Sequence, residues 1–229
     1  MIAGPHVFGS NRRGIWVASN SNLTDKLKHF APRLRNAIPN LTDVFLPPEA
    51  TSAHKDILRT NNFFVHMYDV ARDRGPIEFA DAALARHKAQ GTGALELNFE
   101  GGPITDAGMA AYVTATIKRV RARKPNRAVR INVVPFKGQF LPVDLINDDA
   151  QLFVCAQAYG GNMDILYAAD EVKDDLTDHG ILPQKVNVMH AVMCDTTDDF
   201  WDDRQVTLPV VRDKGAFYID DLLLDAGLL

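Results

Sequence analysis

The sequence predicts an α/β fold consisting of a single (β/α)8 barrel, and three observations favour it. Strand-like apolar runs alternate with longer helix-like stretches, eight such runs can be distinguished, and no glycine-rich phosphate loop follows the first of them. Strands separated by helices pair in parallel, because a parallel connection needs a long crossover. A chain of 229 residues is also long enough for one barrel. We therefore expect one domain over residues 1–229.

The predicted strands are short runs rich in β-branched, aromatic and other apolar residues. They are Gly14–Ser19, Asp43–Leu46, Phe63–Tyr68, Ala94–Phe99, Val129–Pro135, Leu152–Tyr159, Val186–Val192 and Ala216–Asp220. The main alternative is an open doubly wound sheet, which often carries a glycine-rich loop after its first strand. Here Asn20-Ser21-Asn22 follows the first strand. The barrel is therefore the preferred prediction.

Helical periodicity is clearest between the fourth and fifth predicted strands, over Thr105–Arg123. Apolar residues recur there at the three-and-four spacing of an amphipathic helix, and Pro125 suits its end. Further helices are predicted over Thr24–Ile38, Pro76–Gln90 and Asn162–His179. These helices supply the crossovers that a parallel barrel requires.

Composition and charge narrow the classes of partner. The net charge is −4 without a basic block, so a nucleic-acid surface is not expected, and no apolar run of about 20 residues predicts a membrane span. The N-terminus lacks the apolar stretch of a signal peptide, so we expect a cytoplasmic protein unless another route exports it or a virion packages it. The two cysteines, Cys155 and Cys194, exclude a disulfide framework and give a catalytic thiol little support.

The fourth predicted strand carries the most informative residues. Side chains alternate along a strand, so Leu95, Leu97 and Phe99 face the helices, whereas Glu96, Asn98 and Glu100 face the barrel interior. Carboxylates inside a barrel are costly unless they are paired. One interpretation is a structural polar layer in which Glu96 pairs with Arg130. The other places Glu100 at the carboxyl end of the strand, where barrel enzymes keep their acid–base groups.

The motif Glu96-x-Asn98-x-Glu100 resembles the strand-four signature of glycoside hydrolase family 18, the chitinase family. This resemblance implies that Glu100 protonates the glycosidic oxygen and that Asn98 holds the substrate's acetamido group, whose own oxygen attacks the sugar. Asn98 replaces the usual aspartate and is similar to the residue in the related endo-β-N-acetylglucosaminidases. Glu96 would then support the pair from the next layer.

The sixth predicted strand is similar to the same family at Gln157-Ala158-Tyr159-Gly160. By this resemblance Tyr159 hydrogen-bonds the reacting acetamide carbonyl and Gln157 contacts the substrate. Gly160 replaces the family's final aspartate. An aromatic residue that only caps the core is the alternative interpretation of Tyr159.

Other residues are predicted to reach the same mouth of the barrel. Asp220 and Tyr218 end the eighth predicted strand, Asp69 follows the third, and His190 lies on the seventh. Acidic groups beside aromatic faces suit sugar rings, so all four are candidate substrate-binding residues. A helix cap or a hydrogen-bonded core residue is the alternative for each, and also for His66.

The leading hypothesis is a hydrolase that cleaves β-linked N-acetylhexosamine glycans by a substrate-assisted, retaining mechanism, with no cofactor and no metal. A second hypothesis is a catalytically inactive barrel that binds carbohydrate or builds a larger assembly, for example a phage tail. A third is a metal-dependent barrel enzyme that uses Glu100, His190 and Asp220.

Overall fold

The computed structural model describes residues 13–17, 24, 27–28, 31–32, 41–90, 93–100, 104–160, 165–191 and 206–211. Its strands are β1 (Arg13–Val17), β2 (Leu41–Leu46), β3 (Phe64–Val70), β4 (Leu95–Asn98), β5 (Val129–Val133), β6 (Leu152–Gln157), β7 (Tyr159–Gly160), β8 (Ile165–Leu166), β9 (Val186–Ala191) and β10 (Val206–Val211). Its longer helices are α1 (Ser52–Thr60), α2 (Pro76–Gln90), α3 (Asp106–Arg123), α4 (Val143–Asp148) and α5 (Ala169–Asp178). Two short 3-10 turns lie at Gly138–Phe140 and Pro183–Lys185.

Six parallel strands form a half-barrel in the order β2, β3, β4, β5, β6 and β9. Helices α1 to α5 lie in the crossovers between them, as parallel pairing requires. The predicted α/β class with parallel strands is thereby confirmed. At the two ends of this arc, the backbones of β1 and β10 also pair in parallel, β1 with β2 and β10 with β9.

The core lies between the outer face of the half-barrel and its helices. Leu95, Leu97 and Phe99 of the β4 segment are buried there against α2 and α3, which confirms the predicted outward face. Phe99 packs edge-to-face between Phe79 and Tyr112, with ring centroids 5.6 and 6.0 Å away. Such aromatic pairs stabilise the packing beyond the area they bury. They hold β4 against both helices.

Two of the four predicted helices are confirmed, over Pro76–Gln90 and Asp106–Arg123. Helix α2 has the predicted bounds, and α3 begins after Thr105, whose hydroxyl accepts a hydrogen bond from the Gly108 amide. Residues 24, 27–28 and 31–32 are helical within the predicted first helix. The helix predicted to begin at Asn162 instead begins at Ala169, because Ile165–Leu166 pairs with Tyr159–Gly160 in an antiparallel ladder.

The last predicted strand, Ala216–Asp220, lies outside the described residues. The strand that pairs with β9 is Val206–Val211, which was not among the predicted strands. Pro209 lies in the middle of β10 and cannot donate a backbone hydrogen bond to a neighbouring strand. The sequence of β10 is therefore not typical of a strand inside a sheet. No helix within the described ranges is long and apolar enough to cross a membrane.

Burial of Cys155 on β6 gives a prediction for this fold. The side chain is fully buried, and desolvation raises the pKa of its thiol to about 12. Since the thiolate is the reactive form, a Cys194→Ser protein at about pH 8 should react with Ellman's reagent at least about 100-fold more slowly when folded than when unfolded. Labelling of the folded protein at the rate of the unfolded one would contradict this packing.

Candidate active site

The inner face of β4 carries three polar side chains in successive layers. Glu96 is fully buried, Asn98 is 2% exposed, and Glu100 is half-buried two residues further on, just past the end of the strand. Each is two residues from the next, so all three point to one side of the sheet. The predicted inward face of this segment is confirmed for Glu96 by its partners on β5.

The innermost layer is a buried ion pair between Glu96 and Arg130 of β5. The Nε atom of Arg130 lies 2.7 Å from Glu96 Oε2, and its Nη2 atom donates to the same oxygen. Its Nη1 atom donates to Asn187 Oδ1 at 3.3 Å, and the guanidinium lies over the Phe45 ring at 4.7 Å. The predicted pairing of Glu96 with Arg130 is therefore confirmed.

A chain of side-chain amides joins this ion pair to Glu100. Asn132 Nδ2 donates to Glu96 Oε1 at 2.9 Å, which turns Asn132 Oδ1 toward β6. There it accepts from Gln157 Nε2 at 2.9 Å, and Gln157 Nε2 also donates to Glu100 Oε1. Because each amide has one donor end and one acceptor end, every orientation along the chain follows from the charge on Glu96.

Asn98 lies beside this chain but does not join it through its oxygen. It pairs in register with Asn132 of β5 and with Val70 of β3. Its Oδ1 atom is buried and accepts no hydrogen bond from any described residue. Native proteins seldom leave a buried acceptor in this state, and each case calls for an explanation.

Tyr159 and Met189 lie beside the amide chain at the ends of β6 and β9. Tyr159 is 4% exposed, and its hydroxyl donates to Met189 Sδ at 3.8 Å. Asn132 Nδ2 also reaches Met189 Sδ, at 3.5 Å. Sulfur is a weak acceptor, so these two contacts contribute little energy to holding the side chains in place. Glu100 and Gln157 thus lie at the carboxyl ends of β4 and β6, the two strands on either side of β5, and Tyr159 follows β6.

An aromatic pair lies at the same end of the half-barrel. Phe136 follows β5, is 36% exposed, and has a left-handed backbone with φ of 59°. Its ring packs edge-to-face against Tyr167, which follows β8, with centroids 4.8 Å apart. A positive φ is strained for a bulky residue, and such strain clusters at functional sites.

Asp69 is placed away from this group. It pairs in register with Leu97, so it faces the helices. Its carboxylate, 1% exposed, binds Arg74 at 3.0 Å and Arg86 at 2.5 Å. The predicted strand ended at Tyr68, whereas β3 continues to Val70 and gives Asp69 the outer face.

His66 is buried in a complete set of hydrogen bonds. Its Nδ1 atom accepts from the Ala94 amide at 3.0 Å, so Nε2 carries the proton and donates to Asp43 at 2.6 Å. The structural interpretation of His66 therefore suffices. The backbone of His190 lies in β9, but its side chain, like Tyr218 and Asp220, falls outside the described residues.

Asn132 and Asn187 were not among the predicted site residues. The signal for Asn132 was present, because Arg130 and Asn132 repeat on β5 the two-residue polar period of Glu96 and Asn98 on β4. In the described part of the chain, no group of three or more His, Cys, Asp or Glu side chains could hold a metal ion.

Comparisons with solved structures support the fold class. A protein assigned as a deoxyribose-phosphate aldolase from Coccidioides immitis matches with a TM-score of 0.59 and 10% identity, over 95% of this chain and 86% of that one. A protein assigned as the copper homeostasis protein CutC from Streptococcus agalactiae matches with a TM-score of 0.53 and 12% identity, over 87% and 97%. At these identities the likeness shows a TIM-barrel-like fold alone. No family model matches the sequence, and no curated protein does.

The predicted glycoside hydrolase function is wrong. Neither similar structure is a glycoside hydrolase, a carbohydrate-binding module or a viral tail protein, and no family model supports the chitinase resemblance. Two short motifs in a common barrel carried that prediction, and a barrel hosts many unrelated chemistries. The alternative of an inactive carbohydrate-binding barrel depended on the same resemblance and is withdrawn with it.

The buried ion pair makes a prediction about stability. Replacing Arg130 by Met leaves the Glu96 charge buried without its partner, which should lower the free energy of unfolding by about 3–5 kcal/mol. Urea denaturation measures this. The matched control is Arg119→Met, which removes a partly exposed pair with Asp81 and should change the midpoint far less. Equal effects of the two substitutions would show that Glu96 and Arg130 are not paired inside the barrel.

Proposed function

We propose that this chain is an enzyme that moves a proton to or from a small polar molecule, with Glu100 as the acid/base. We also propose that residues 1–229 form one complete (β/α)8 barrel, since β1 and β10 pair with each other in parallel across the gap in the strand order. The carboxyl end of such a barrel is where its enzymes place their catalytic groups. The site lies at that end of β4, β5 and β6.

One observation carries the proposal: Glu100 is held by Gln157 at the end of an amide chain that begins at a buried ion pair. A catalytic group must be held within a fraction of an ångström, and packed hydrogen-bonded neighbours achieve this. Gln157 donates to Oε1 of Glu100, so that oxygen accepts. No hydrogen bond within the described residues involves Oε2, which remains able to exchange a proton with a substrate.

The proposed step balances without a further reactant. The carboxylate of Glu100 takes a proton from an O–H, N–H or activated C–H group of the bound molecule and becomes a carboxyl group. It then returns that proton, or a solvent hydrogen ion exchanged for it, to the same molecule, and both the carboxylate and the neutral molecule are regenerated. General acid–base groups of this kind accelerate reactions by about 10²–10⁴-fold.

The neighbouring side chains have separate roles in this proposal. Asn98 binds and orients the substrate, Gln157 positions Glu100, and Tyr159 lines the site beside Met189. Glu96 and Arg130 do not touch the substrate but fix the orientation of Asn132. With a net charge of −4 and no basic block, the proposed partner is a small molecule and not a nucleic acid.

The proposal predicts a loss of proton exchange in Glu100→Gln, because an amide is nearly isosteric with the carboxyl group but cannot take up the proton. Small hydroxy, keto, amino and amide compounds are incubated with the protein in D2O, and loss of carbon-bound hydrogen is followed by proton NMR. Wild type should exchange at least one compound. Glu100→Gln should be slower by at least about 100-fold.

The control is Glu171→Gln, an exposed residue of α5, which should exchange as wild type does. Melting temperatures of all three proteins establish that they are folded. Wild-type exchange in Glu100→Gln, or no exchange of any compound by wild type, would contradict the proposed function.

A further inference from the structure

We propose that the molecule bound at this site carries a primary ammonium group, which donates a hydrogen bond to Asn98 Oδ1 and is attracted by the charge of Glu100. This inference rests on the proposed function of the same site and adds the chemical class of the ligand. Three features support it: an acceptor without a donor, amide donors that are already engaged, and a carboxylate whose charge is not balanced.

The acceptor is Asn98 Oδ1. Asn98 is 2% exposed and faces the same side as Glu96 and Glu100. No described residue donates to its oxygen. A buried carbonyl oxygen is stabilised only by a hydrogen-bond donor, so a ligand that fits here must bring one.

The neighbouring amides have no donor left to offer. Both hydrogens of Gln157 Nε2 are directed at Asn132 Oδ1 and Glu100 Oε1. The amide nitrogen of Asn132 donates to Glu96 Oε1 and to Met189 Sδ. The hydrogens of these two amide groups are therefore used within the chain, and Asn98 adds a buried acceptor, its Oδ1 atom, beside them.

The charge balance favours a cation. Arg130 neutralises Glu96 inside the barrel. Glu100 forms no ion pair with any basic side chain in the ranges that the structure describes, and its partner Gln157 is neutral. A carboxylate in a half-buried site attracts a positive group more strongly than an exposed one, because less water screens it. An ammonium group supplies both the charge and the hydrogen-bond donors.

A divalent metal ion fits these residues less well. Magnesium and calcium take several oxygen ligands, usually including more than one carboxylate. Of the two carboxylates on the same face of the β4 segment as Asn98, Glu96 is already occupied by Arg130 and Asn132, which leaves Glu100. The ammonium ion needs one charge and one or two acceptors, which are the groups present.

Three compounds with one carbon skeleton test the inference: 2-amino-1,3-propanediol, glycerol and glycerate. Each is titrated into the nitrogen-15-labelled protein, and the side-chain amide signals of Asn98 and Gln157 are followed by NMR. Signals are assigned by their loss in Asn98→Leu and Gln157→Leu. The ammonium compound should bind at least tenfold more tightly than glycerol, and glycerate should not saturate. Calcium and magnesium chloride are titrated in parallel.

Variants separate a ligand-binding role of Asn98 from a structural one. Asn98→Leu should weaken binding of the aminodiol at least tenfold with an unchanged or higher melting temperature, because it removes an unpaired buried acceptor. Asn98→Asp, which adds a charge, should tighten the same binding, and added salt should reverse that gain. A structural residue would lower the melting temperature in both variants.

Equal binding of glycerol and the aminodiol would overturn the ammonium assignment, as would tight binding of glycerate or of a divalent metal. A lower melting temperature of Asn98→Leu with unchanged aminodiol binding would also overturn it. With any of these outcomes, proton exchange in D2O should still depend on Glu100 if the proposed function is correct. If proton exchange does not depend on Glu100 but the aminodiol still binds preferentially, the catalytic role of Glu100 is rejected and the assignment of an ammonium ligand stands.

Discussion

The ion pair between Glu96 and Arg130 is the interaction on which the interior of the half-barrel depends. Both side chains are fully buried, and transferring two charges from water costs several kcal/mol each unless hydrogen bonds complete the pair. The structure completes it on every side, with Asn132 on the second carboxylate oxygen, Asn187 on the guanidinium and Phe45 beneath it. The polar residues of β4, β5 and β9 are therefore parts of one arrangement.

This arrangement extends to the edge of the sheet because the orientation of each side-chain amide determines the orientation of the next. Once Asn132 donates to Glu96, its oxygen must face Gln157, and Gln157 must then direct its second hydrogen to Glu100. The chain thereby fixes a half-buried carboxylate that forms no ion pair with a basic side chain of the described residues. Asn98 differs, since its buried oxygen costs about 1–3 kcal/mol for want of a donor. In the proposed function, a bound ligand that donates to this oxygen removes that cost.

The two-residue period of strands made much of this predictable from the sequence. It assigned Glu96 and Leu97 to opposite faces of the sheet. It also indicated Arg130 as the partner of Glu96, because charges that face inward from neighbouring strands must pair. It failed for Asp69 because the end of β3 was placed two residues too early, and a residue beyond a strand has no assigned face.

The contact between Gln157 and Glu100 could not be predicted from the sequence, because it depends on the register of three strands and on the conformations of two side chains. The antiparallel pairing of Tyr159 with Leu166 could not be predicted from the sequence, because both residue types are also common in helices and at strand ends. The chitinase-like spacing of β4 was real as a pattern of inward polar residues, but that pattern follows from the ion pair and does not identify a substrate.

The central claim, that a directed amide chain holds Glu100, is tested most directly by solvent exchange of the Gln157 side-chain amide in the unmodified protein. Both of its hydrogens are bonded, whereas Gln139 lies exposed in the turn after β5 and serves as an internal reference. The account predicts that the Gln157 amide hydrogens exchange with water at least about 100-fold more slowly than those of Gln139. Exchange of the two side chains at equal rates would contradict it.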